Sequence, residues 1–279
     1  MALDGFRLRM LTSFFFVLVM LGGILAGPLA FALLFGAVLA ICLWEFLSAQ
    51  ISGADVPART LHFFSLLAGL LPYLIVGLYR FEVLSGIPTA HLAMGFAPFL
   101  FLIFLLVLFG NRSDPFRDIG SAFIGIIYIG LPFALMELIV LPSGGGYRMD
   151  LLLGLLFLNW TNDSGAYIVG SRIGRTPFFP RISPKKTWEG IAGAGVLTTA
   201  IALLNAVLFP AISLHEWLVL GLLVFVFGSL GDLVESMFKR SMQMKDSGSL
   251  LPGHGGFLDR FDGFIFHLPF TMAYLFLTA

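Results

Sequence analysis

The sequence predicts an all-α integral membrane protein of about nine transmembrane helices, with a cytoplasmic N-terminus and a C-terminus outside. Three observations lead to this fold class. The 279 residues are 58% hydrophobic, and only 11% are charged, whereas soluble domains carry roughly 25% charged residues. The mean hydropathy is +0.97. Apolar runs follow one another along the chain, each near the ~20 residues that cross a bilayer as a helix. Too few charges are present to build a water-soluble surface.

Nine segments in order are long and apolar enough to span. They are 10–27, 29–48, 60–79, 87–109, 119–141, 150–170, 187–210, 214–236 and 262–279. The distribution of basic residues tests this arrangement, because cytoplasmic loops carry an excess of Lys and Arg. With a cytoplasmic N-terminus, only Arg80 and Arg148 fall outside. The other basic residues all fall on the cytoplasmic side: Arg7, Arg9, Arg59, Arg112, Arg117, Arg172, Arg175, Arg181, Lys185, Lys186, Lys239, Arg240, Lys245 and Arg260.

Several other classes of protein are disfavoured by the same composition. Arg7 and Arg9 before an apolar run resemble a secretory signal peptide, but a second span follows almost at once, so we expect a retained anchor. The formal net charge is zero, which gives no indication of a nucleic acid partner. Cys42 is the single cysteine and cannot form an intrachain disulfide. We find no strong internal repeat, so an inverted-repeat transporter gains no support.

Ionisable residues concentrate towards the C-terminus. The first four predicted spans are nearly free of them apart from Glu45. We therefore predict two regions: residues 1–110 as lipid-facing scaffold helices, and residues 111–279 as a catalytic transmembrane region with a cytoplasmic polar site.

A first polar cluster interrupts the sixth predicted span, in the stretch NWTNDSGAYIVGSRIG. Asn159, Asp163 and Tyr167 recur every four residues and therefore share one helix face. A carboxylate at membrane depth costs at least ~2.5 kcal/mol, so it must face protein, water or an ion. Two interpretations stay open. Residues 162–165 break the helix where it lines a cavity, or the glycines of this stretch allow close packing and a hydrogen bond between helices.

A second cluster, RISPKKTWEG, precedes the seventh span. Ser183 is a favourable N-cap and Pro184 suits the first helical position, which predicts that a helix begins here. Lys185 and Lys186 then lie in the first turn, where the helix dipole disfavours cations. Free N–H groups and two ammonium groups make an anion site, most naturally for phosphate. Alternatively, the lysines fix the topology or touch lipid headgroups. Glu189 neutralises a lysine or serves a metal.

The third cluster covers the end of the eighth span and the start of the ninth. One stripe of the eighth helix, by i, i+3, i+4 spacing, carries Ser229, Asp232, Glu235, Ser236 and Lys239. Asp259 and Asp262 share a face of the last helix, and two acidic faces can hold a hard cation. Mg²⁺ favours one or two carboxylates plus substrate phosphates. Lys239, Arg240 and Lys245 add donors for phosphate.

A glycine-rich loop joins these two helices. Gly253, Gly255 and Gly256 let the backbone approach a ligand closely. His254 between them is a proton carrier or phosphate donor, or a capping or packing histidine. All three clusters face the cytoplasm in the predicted topology and mix carboxylates with lysines and glycines. That combination fits a metal-bound nucleotide polyphosphate at the membrane surface.

The stretch SMFKRSMQMKDSGSLLPGHGGFLDRFD, at 236–262, resembles the signature of phosphatidate cytidylyltransferases, also called CDP-diacylglycerol synthases. The pattern of Ser, Lys-Arg, Lys-Asp, Pro-x-His-Gly-Gly and Asp-Arg-x-Asp is present at the family spacing. DSGAYIVGSRIG and ISPKKTWEG also resemble the family, in the same order. The resemblance is strong over roughly 159–279. It implies a Mg²⁺-dependent reaction in which CTP and phosphatidate give CDP-diacylglycerol and pyrophosphate, at a bacterial inner membrane.

The resemblance and the chemistry of nucleotidyl transfer together give a predicted set of site residues. The predicted catalytic residues are Asp232, Asp259, Lys239, Arg240 and His254. The predicted substrate-binding residues are Asp163, Ser183, Lys185, Lys186, Lys245, Asp246, Gly255, Gly256 and Arg260. The predicted ligands of Mg²⁺ are Asp232, Asp259 and Asp262, and a second cation is left open.

Two rival functions stay open at this point. A CTP-using polyprenol or phytol kinase would transfer the γ-phosphoryl group to a lipid alcohol, and would need a base such as His254. An ion-coupled transporter would bind cations at mid-membrane through Asp163, Asp232 and Asp259, but it needs polar lining on both sides. The pattern of CDP-alcohol phosphatidyltransferases is not present at its spacing. Acyl-chain preference and a homodimer are left open.

Overall fold

The computed structural model describes residues 2–51, 53, 55–84, 86–251, 253 and 255–278, without the side chains of residues 2–7 and 9. Helices dominate this described part, with one short hairpin. The helices are α1 (Ala2–Leu25), α2 (Pro28–Gln50), α3 (Val56–Arg80), α4 (Thr89–Phe109), α5 (Pro115–Val140), α6 (Met149–Ile173), α7 (Trp188–Leu208), α8 (Leu214–Ser241) and α9 (Leu258–Thr278). The hairpin strands are β1 (Pro177–Phe179) and β2 (Ser183–Thr187).

The predicted class of all-α membrane protein is confirmed. Within the described residues, seven helices are long and apolar enough to cross a membrane: α2, α3, α4, α5, α7, α8 and α9. Of the other two, α1 has a shorter apolar part, Met10–Leu25. Helix α6 carries Asp150, Asp163 and Arg172 within its length. Whether all nine helices cross therefore stays a prediction.

Helix boundaries follow local signals in the sequence. Pro28 opens α2 directly after Gly27, whose φ of 110° suits glycine. Ser213 caps α8 with a capping box, in which its hydroxyl oxygen accepts from the Glu216 N–H and the Glu216 carboxylate accepts from the Ser213 N–H. Helices α5 and α8 each contain a π-helical turn, at Gly125–Gly130 and Val224–Gly228. Such turns are frequent near functional sites, and the second one directly precedes Ser229.

The chain divides into two compact units. The first comprises Met1–Tyr147 with Asp246–Leu258, and the second comprises Arg148–Lys245 with Asp259–Ala279. The predicted division at residue 110 is a different one: it separates apolar scaffold helices from a polar catalytic region by their expected function. That division stays a prediction.

Helix α2 forms the centre of the first unit. Its buried side chains include Phe35, Leu39 and Leu43. Helices α3 and α5 approach each other closely, because a Cβ built on Gly130 would lie 2.4 Å from the carbonyl oxygen of Gly69. Tyr147 donates a hydrogen bond to the carbonyl of Ile24 (3.0 Å). Burial raises the pKa of Tyr147 to about 12, so the phenol stays a neutral donor at physiological pH.

An ion pair stabilises the connection between α4 and α5 in the same unit. Arg112 Nε donates to Asp118 Oδ2 over 2.6 Å, and both side chains are largely buried. The hydrogen bond to Asp118 raises the pKa of the Arg112 guanidinium above its ordinary value. Arg112 and Asp118 therefore have a structural role in the first unit.

In the second unit, α6 and α7 pack along their length through small residues. A Cβ on Gly165 would lie 3.3 Å from the Cα of Ala194, and one on Gly170 would lie 3.4 Å from the Cα of Gly190. Residues 162–165 do not break α6, which is continuous. The predicted helix break is therefore wrong, and close packing of the helix pair is confirmed. The face of α7 that carries Gly190 and Ala194 therefore packs against α6 of the same chain.

Candidate active site

Helices α8 and α9 of the second unit meet at glycines. A Cβ on Gly231 of α8 would lie 2.5 Å from Phe266 Cβ and 2.8 Å from the carbonyl oxygen of Asp262, both on α9. A Cβ on Gly263 would lie 3.1 Å from the carbonyl oxygen of Gly228. Because glycine lacks a side chain, α8 and α9 come close enough for their acidic residues to interact.

Helix α6 contributes amide and carboxylate groups to the same place. Ser229 donates to Asn162 Oδ1 (3.3 Å), which ties α8 to α6. Asn159 donates to Asp163 Oδ2 (3.3 Å) one turn along the helix. The Oδ1 atom of Asn159 is buried and has no hydrogen-bond partner among the described residues. The predicted shared face of Asn159 and Asp163 is thus directed at α8. Tyr167, the third residue of that pattern, is 76% exposed.

Asp232 is held between α8 and the hairpin. Lys186 of β2 reaches it with Nζ 2.7 Å from Asp232 Oδ2, and the same ammonium donates to the carbonyl of Ser229 (3.2 Å). Ser236, one turn further along α8, donates to Asp232 Oδ1 (3.3 Å). The structure therefore brings a lysine of the second sequence cluster onto the acidic stripe of the third.

Asp232 is one of three carboxylates that interact electrostatically. Asp163 of α6 and Asp262 of α9 each interact electrostatically with Asp232, and Asp262 also interacts with Asp163. Asp262 is 8% exposed. Lys186 and Arg260 supply positive charge to Asp163. We call these five residues the aspartate cluster: Asp163 comes from the first polar cluster of the sequence, Lys186 from the second, and Asp232, Arg260 and Asp262 from the third.

A second ion-pair group lies further along α8. Lys239 pairs with Glu235 on its own helix and with Asp259 Oδ1 (2.6 Å) on α9. The side chains of Glu235 and Asp259 are nearly inaccessible, at 1% and 6%. Asp259, a predicted metal ligand, is thus engaged by a lysine. Glu235 also interacts electrostatically with Asp262, which links this group to the aspartate cluster.

The carboxylate and amide oxygens of the aspartate cluster are the type of donor that a hard divalent cation takes. Within the described part of the chain, no group of three or more His, Cys, Asp or Glu is arranged to hold a metal ion. Mg²⁺ needs fewer, because it takes one or two carboxylates and completes its shell with water and substrate phosphate. In the aspartate cluster three carboxylates face two basic groups, and the unpartnered Asn159 Oδ1 adds a neutral oxygen beside them. Oxygen donors with surplus negative charge suit Mg²⁺.

The hairpin corrects the prediction for the RISPKKTWEG stretch. Ser183 is not an N-cap, and Lys185 and Lys186 do not lie in a first helical turn, because residues 183–187 form strand β2. The helix begins at Trp188, where the Thr187 hydroxyl accepts from the Gly190 N–H (3.2 Å). Lys185 is exposed on the strand. The anion site predicted from free helix N–H groups is therefore wrong in its geometry, although Lys186 does reach the acidic residues.

Glu189 has a role that the sequence did not indicate. Its carboxylate accepts from the N–H groups of Arg175 (3.0 Å) and Thr176 (3.1 Å) and from the Thr176 hydroxyl (2.9 Å). It neutralises no lysine through these bonds; it fastens the entry of the hairpin to the start of α7.

Three further predicted site residues, Arg240, Lys245 and Asp246, lie outside these two groups and are exposed, as is Arg260 of the aspartate cluster. Exposure of the three basic side chains is expected of groups that bind soluble phosphates. Gly256 is buried and Gly255 is half-buried. His254 lies outside the described residues, so its predicted catalytic role stays a prediction.

The chain was compared with known families. It matches the Cytidylyltransferase family over residues 7–278. The chain belongs to that family. The match extends over the first four helices, which precede the motifs that carry the resemblance.

Relatives within the cytidylyltransferase family agree with this assignment. A phosphatidate cytidylyltransferase of Bacillus subtilis is 36% identical over 270 residues, which cover 94% of each chain. One from Staphylococcus aureus is 38% identical over 171 residues, covering 61% of this chain and 64% of its own. One from Staphylococcus saprophyticus is 42% identical over 170 residues, covering 60% and 63%. Resemblance to phosphatidate cytidylyltransferases, predicted from the motifs, is confirmed.

Proposed function

We propose that the chain transfers the cytidylyl group of CTP to phosphatidate, giving CDP-diacylglycerol and pyrophosphate for phospholipid biosynthesis. The observation that carries this proposal is the pairing of Lys186 with Asp232 and of Lys239 with Asp259. Both pairs are built from residues of the family motifs. They hold positive and negative groups together at one end of three packed helices, as binding of a metal-bound triphosphate requires. The relative from Bacillus subtilis, aligned over 94% of both chains, supports the same activity.

The reaction needs positioning and charge neutralisation more than a strong base. A phosphate monoester has a second pKa near ~6, so the lipid phosphate is mostly dianionic at neutral pH. One of its oxygens forms a bond to the α-phosphorus of CTP. The bond from that phosphorus to the oxygen bridging to the β-phosphorus breaks, and pyrophosphate leaves with the electron pair. Because both reactants are anionic, the residues around them must offset the repulsion.

The acidic residues would hold Mg²⁺. We propose Asp232 and Asp262 as the carboxylates of the aspartate cluster that bind it, with Asp163 directly or through water. Asp259 is proposed as a further ligand once Lys239 has turned to phosphate; whether a second cation takes part is open. Bound Mg²⁺ would neutralise phosphate oxygens on CTP and on the leaving pyrophosphate.

The basic residues would bind the phosphates. Lys186 and Lys239 exchange their carboxylate partners for triphosphate oxygens, so that each ion pair is replaced by two favourable contacts. Lys185, Arg240, Lys245 and Arg260 add positive charge, and Ser183, Asp246, Gly255 and Gly256 are proposed substrate contacts. His254 is proposed to donate to phosphate or carry a proton.

An apolar groove in the first unit suits acyl chains. Helices α1 and α2 and the loop before α9 enclose a cavity of about 490 Å³. Its lining is almost entirely apolar and includes Val19, Leu34, Val38, Leu251 and Phe257. Leu251 and Phe257 flank the Gly-His-Gly-Gly motif in the sequence. We propose that phosphatidate enters such grooves laterally from the bilayer.

We further propose that all nine helices cross a bacterial inner membrane, with the N-terminus and the active site on the cytoplasmic side. The basic residues support this, because only two of them fall outside in that arrangement. A homodimer stays open, and chemical cross-linking in membranes would test it.

Purified protein incubated with labelled CTP, phosphatidate and Mg²⁺ tests the activity. We expect label from the α-phosphate in the lipid extract and one pyrophosphate for each CDP-diacylglycerol. CDP as the released product would instead favour a lipid kinase. Ion flux in liposomes without nucleotide, and no labelled lipid, would favour a transporter.

A further inference from the structure

Glu45 is an isolated carboxylate in an apolar part of the chain. It is the only acidic or basic residue between Arg9 and Asp55. It lies near the end of α2 and is 5% exposed. A carboxylate in such surroundings is costly unless its oxygens find donors. The proposed reaction gives it no role, so its partners deserve a separate explanation.

The partners of Glu45 lie more than 200 positions away in the chain. Its Oε1 accepts from the Phe257 N–H (3.1 Å), and its Oε2 accepts from the Leu258 N–H (2.9 Å). Ser247 also donates to Oε2, over 3.4 Å. The two N–H groups belong to the start of α9, where backbone donors have no partner inside the helix. A carboxylate is favourable at this end because of the helix dipole.

Two glycines of the same loop leave room for the carboxylate. A Cβ on Gly248 would lie 2.2 Å from Glu45 Oε1, and one on Gly256 would lie 2.5 Å from Glu45 Oε2. Neither glycine has a positive φ, so space rather than backbone conformation requires glycine at both positions. Gly248 and Gly256, on either side of the loop tip, therefore both leave room for the Glu45 carboxylate.

The loop between these anchor points carries the Gly-His-Gly-Gly motif. Leu251 N–H donates to the Gly255 carbonyl (3.0 Å), which closes the loop on itself. Gly253 and Gly255 have φ of +78° and +81°, values that favour glycine. The described residues of the loop are thus held at its base by Glu45 and shaped at its tip by glycines.

We propose that Glu45 is a positioning residue that anchors the loop of residues 246–258 in the conformation that binds CTP. This inference rests on the proposed function. Glu45 touches no substrate in this proposal and acts through the backbone of Phe257 and Leu258. A residue of a scaffold helix thereby supports the predicted substrate-binding residues of this loop.

Steady-state kinetics of Glu45→Gln and Glu45→Ala test the effect on CTP. The glutamine places an amide N–H₂ donor where Glu45 has an acceptor oxygen, so one hydrogen bond is lost. Loss of one hydrogen bond to a charged group changes an equilibrium constant by about tenfold. We expect KM for CTP to rise about tenfold in Glu45→Gln and more in Glu45→Ala, where misplacement by about 1 Å can cost 10²-fold. KM for phosphatidate should stay unchanged. Partial unfolding would lower the active fraction and leave both KM values as they were.

Amide hydrogen exchange supplies a readout that needs no substrate. Residues 246–258 should exchange faster in both Glu45 variants than in the unmodified chain. Glu137→Gln is the matched control: Glu137 is a fully buried carboxylate of α5 in the same unit and lies beside Gly77. Its replacement should change neither this exchange nor KM for CTP.

Gly248→Ala tests the same contact without touching Glu45. Its methyl group should displace the carboxylate and raise KM for CTP as Glu45→Gln does. The double variant Gly248→Ala, Glu45→Ala should be less impaired than the two single effects combined. Unchanged exchange in both Glu45 variants, or faster exchange with an unchanged KM for CTP, overturns the proposal. Absence of cytidylyl transfer by the unmodified chain would remove the proposed function, while exchange would still decide whether Glu45 anchors the loop.

Discussion

Lys186 and Asp232 come from motifs 46 positions apart and meet at 2.7 Å between Nζ and Oδ2. The side chain of Asp232 is 38% accessible and that of Lys186 is 17% accessible, so each can exchange its partner without opening the helix packing. Lys239 and Asp259 form a second lysine–aspartate pair, whose side chains are less accessible, at 15% and 6%. In the function proposed above, a triphosphate with Mg²⁺ carries both signs of charge and would therefore offer each partner of these pairs a replacement contact.

Asp232→Asn should abolish most turnover while the protein stays folded. The amide keeps the shape and the bond from Ser236 but loses the charge that would bind Mg²⁺. We expect kcat to fall by about 10²- to 10³-fold, as when one group that stabilises transition-state charge is removed. Radiolabelled CTP incorporation measures this. Asp118→Asn is the control, because Asp118 pairs with Arg112 in the first unit; it should lower the thermal midpoint and keep kcat. Turnover at the unmodified rate in Asp232→Asn would refute the metal assignment.

Lys186→Ala and Lys185→Ala should both raise KM for CTP, and the increase should be larger in Lys186→Ala. Lys186 already reaches the aspartate cluster, whereas Lys185 is exposed on β2. Initial rates against CTP concentration, repeated at two ionic strengths, measure the effect. The contribution of exposed Lys185 should weaken with salt more than that of Lys186. A CTP dependence that does not change in either variant would make them lysines that set topology.

At the scale of elements, sequence patterns predicted helices better than they predicted the hairpin. Apolar runs of about 20 residues located every helix, because burial in lipid requires continuous apolar helices. The start of α1 was the main error, since that helix begins at Ala2, before its apolar part. Ser183-Pro184 matches a helix start, yet these residues form β2, since Glu189 fastens the preceding backbone and Thr187 caps α7 instead. The contact between Glu45 and Leu258 joins segments that are far apart in the sequence, so no periodic pattern in the sequence predicts it. The one visible sign in the sequence is that Glu45 is an isolated carboxylate in an apolar run.

Glu189→Ala should loosen the hairpin that carries Lys186. Its carboxylate supplies three acceptor contacts to Arg175 and Thr176, and without them β1 loses its fixed entry. We expect KM for CTP to rise by about tenfold to 10²-fold, the cost of a shift of about 1 Å, with KM for phosphatidate unchanged. Glu216→Ala removes a comparable carboxylate from the capping box of α8 and should leave KM for CTP as it is. Equal kinetics in the two variants would contradict the role of the hairpin.

At the scale of the whole molecule, the topology depends on α6. This helix carries acidic and amide residues of the site, and although it is 25 residues long it is not among the helices that are apolar enough to count as a span. Polar residues inside the membrane are tolerated when they face protein. Asn159 and Asn162 are buried against neighbouring helices, so a crossing α6 is physically reasonable although its hydropathy alone does not require it.

Cysteine labelling in intact cells decides whether α6 crosses. Ser113→Cys lies between α4 and α5, and Ala211→Cys lies between α7 and α8; both positions are exposed. If α5, α6 and α7 all cross, these positions lie on opposite sides of the membrane, and a membrane-impermeant maleimide should label Ala211→Cys alone. Cys42 is buried, so the unmodified chain is the control for background labelling. After permeabilisation both cysteines should react. If α6 did not cross, two crossings would separate the two positions and both would lie on the cytoplasmic side. Protection of Ala211→Cys in intact cells would therefore overturn the nine-helix topology, and with it the cytoplasmic placement of the site.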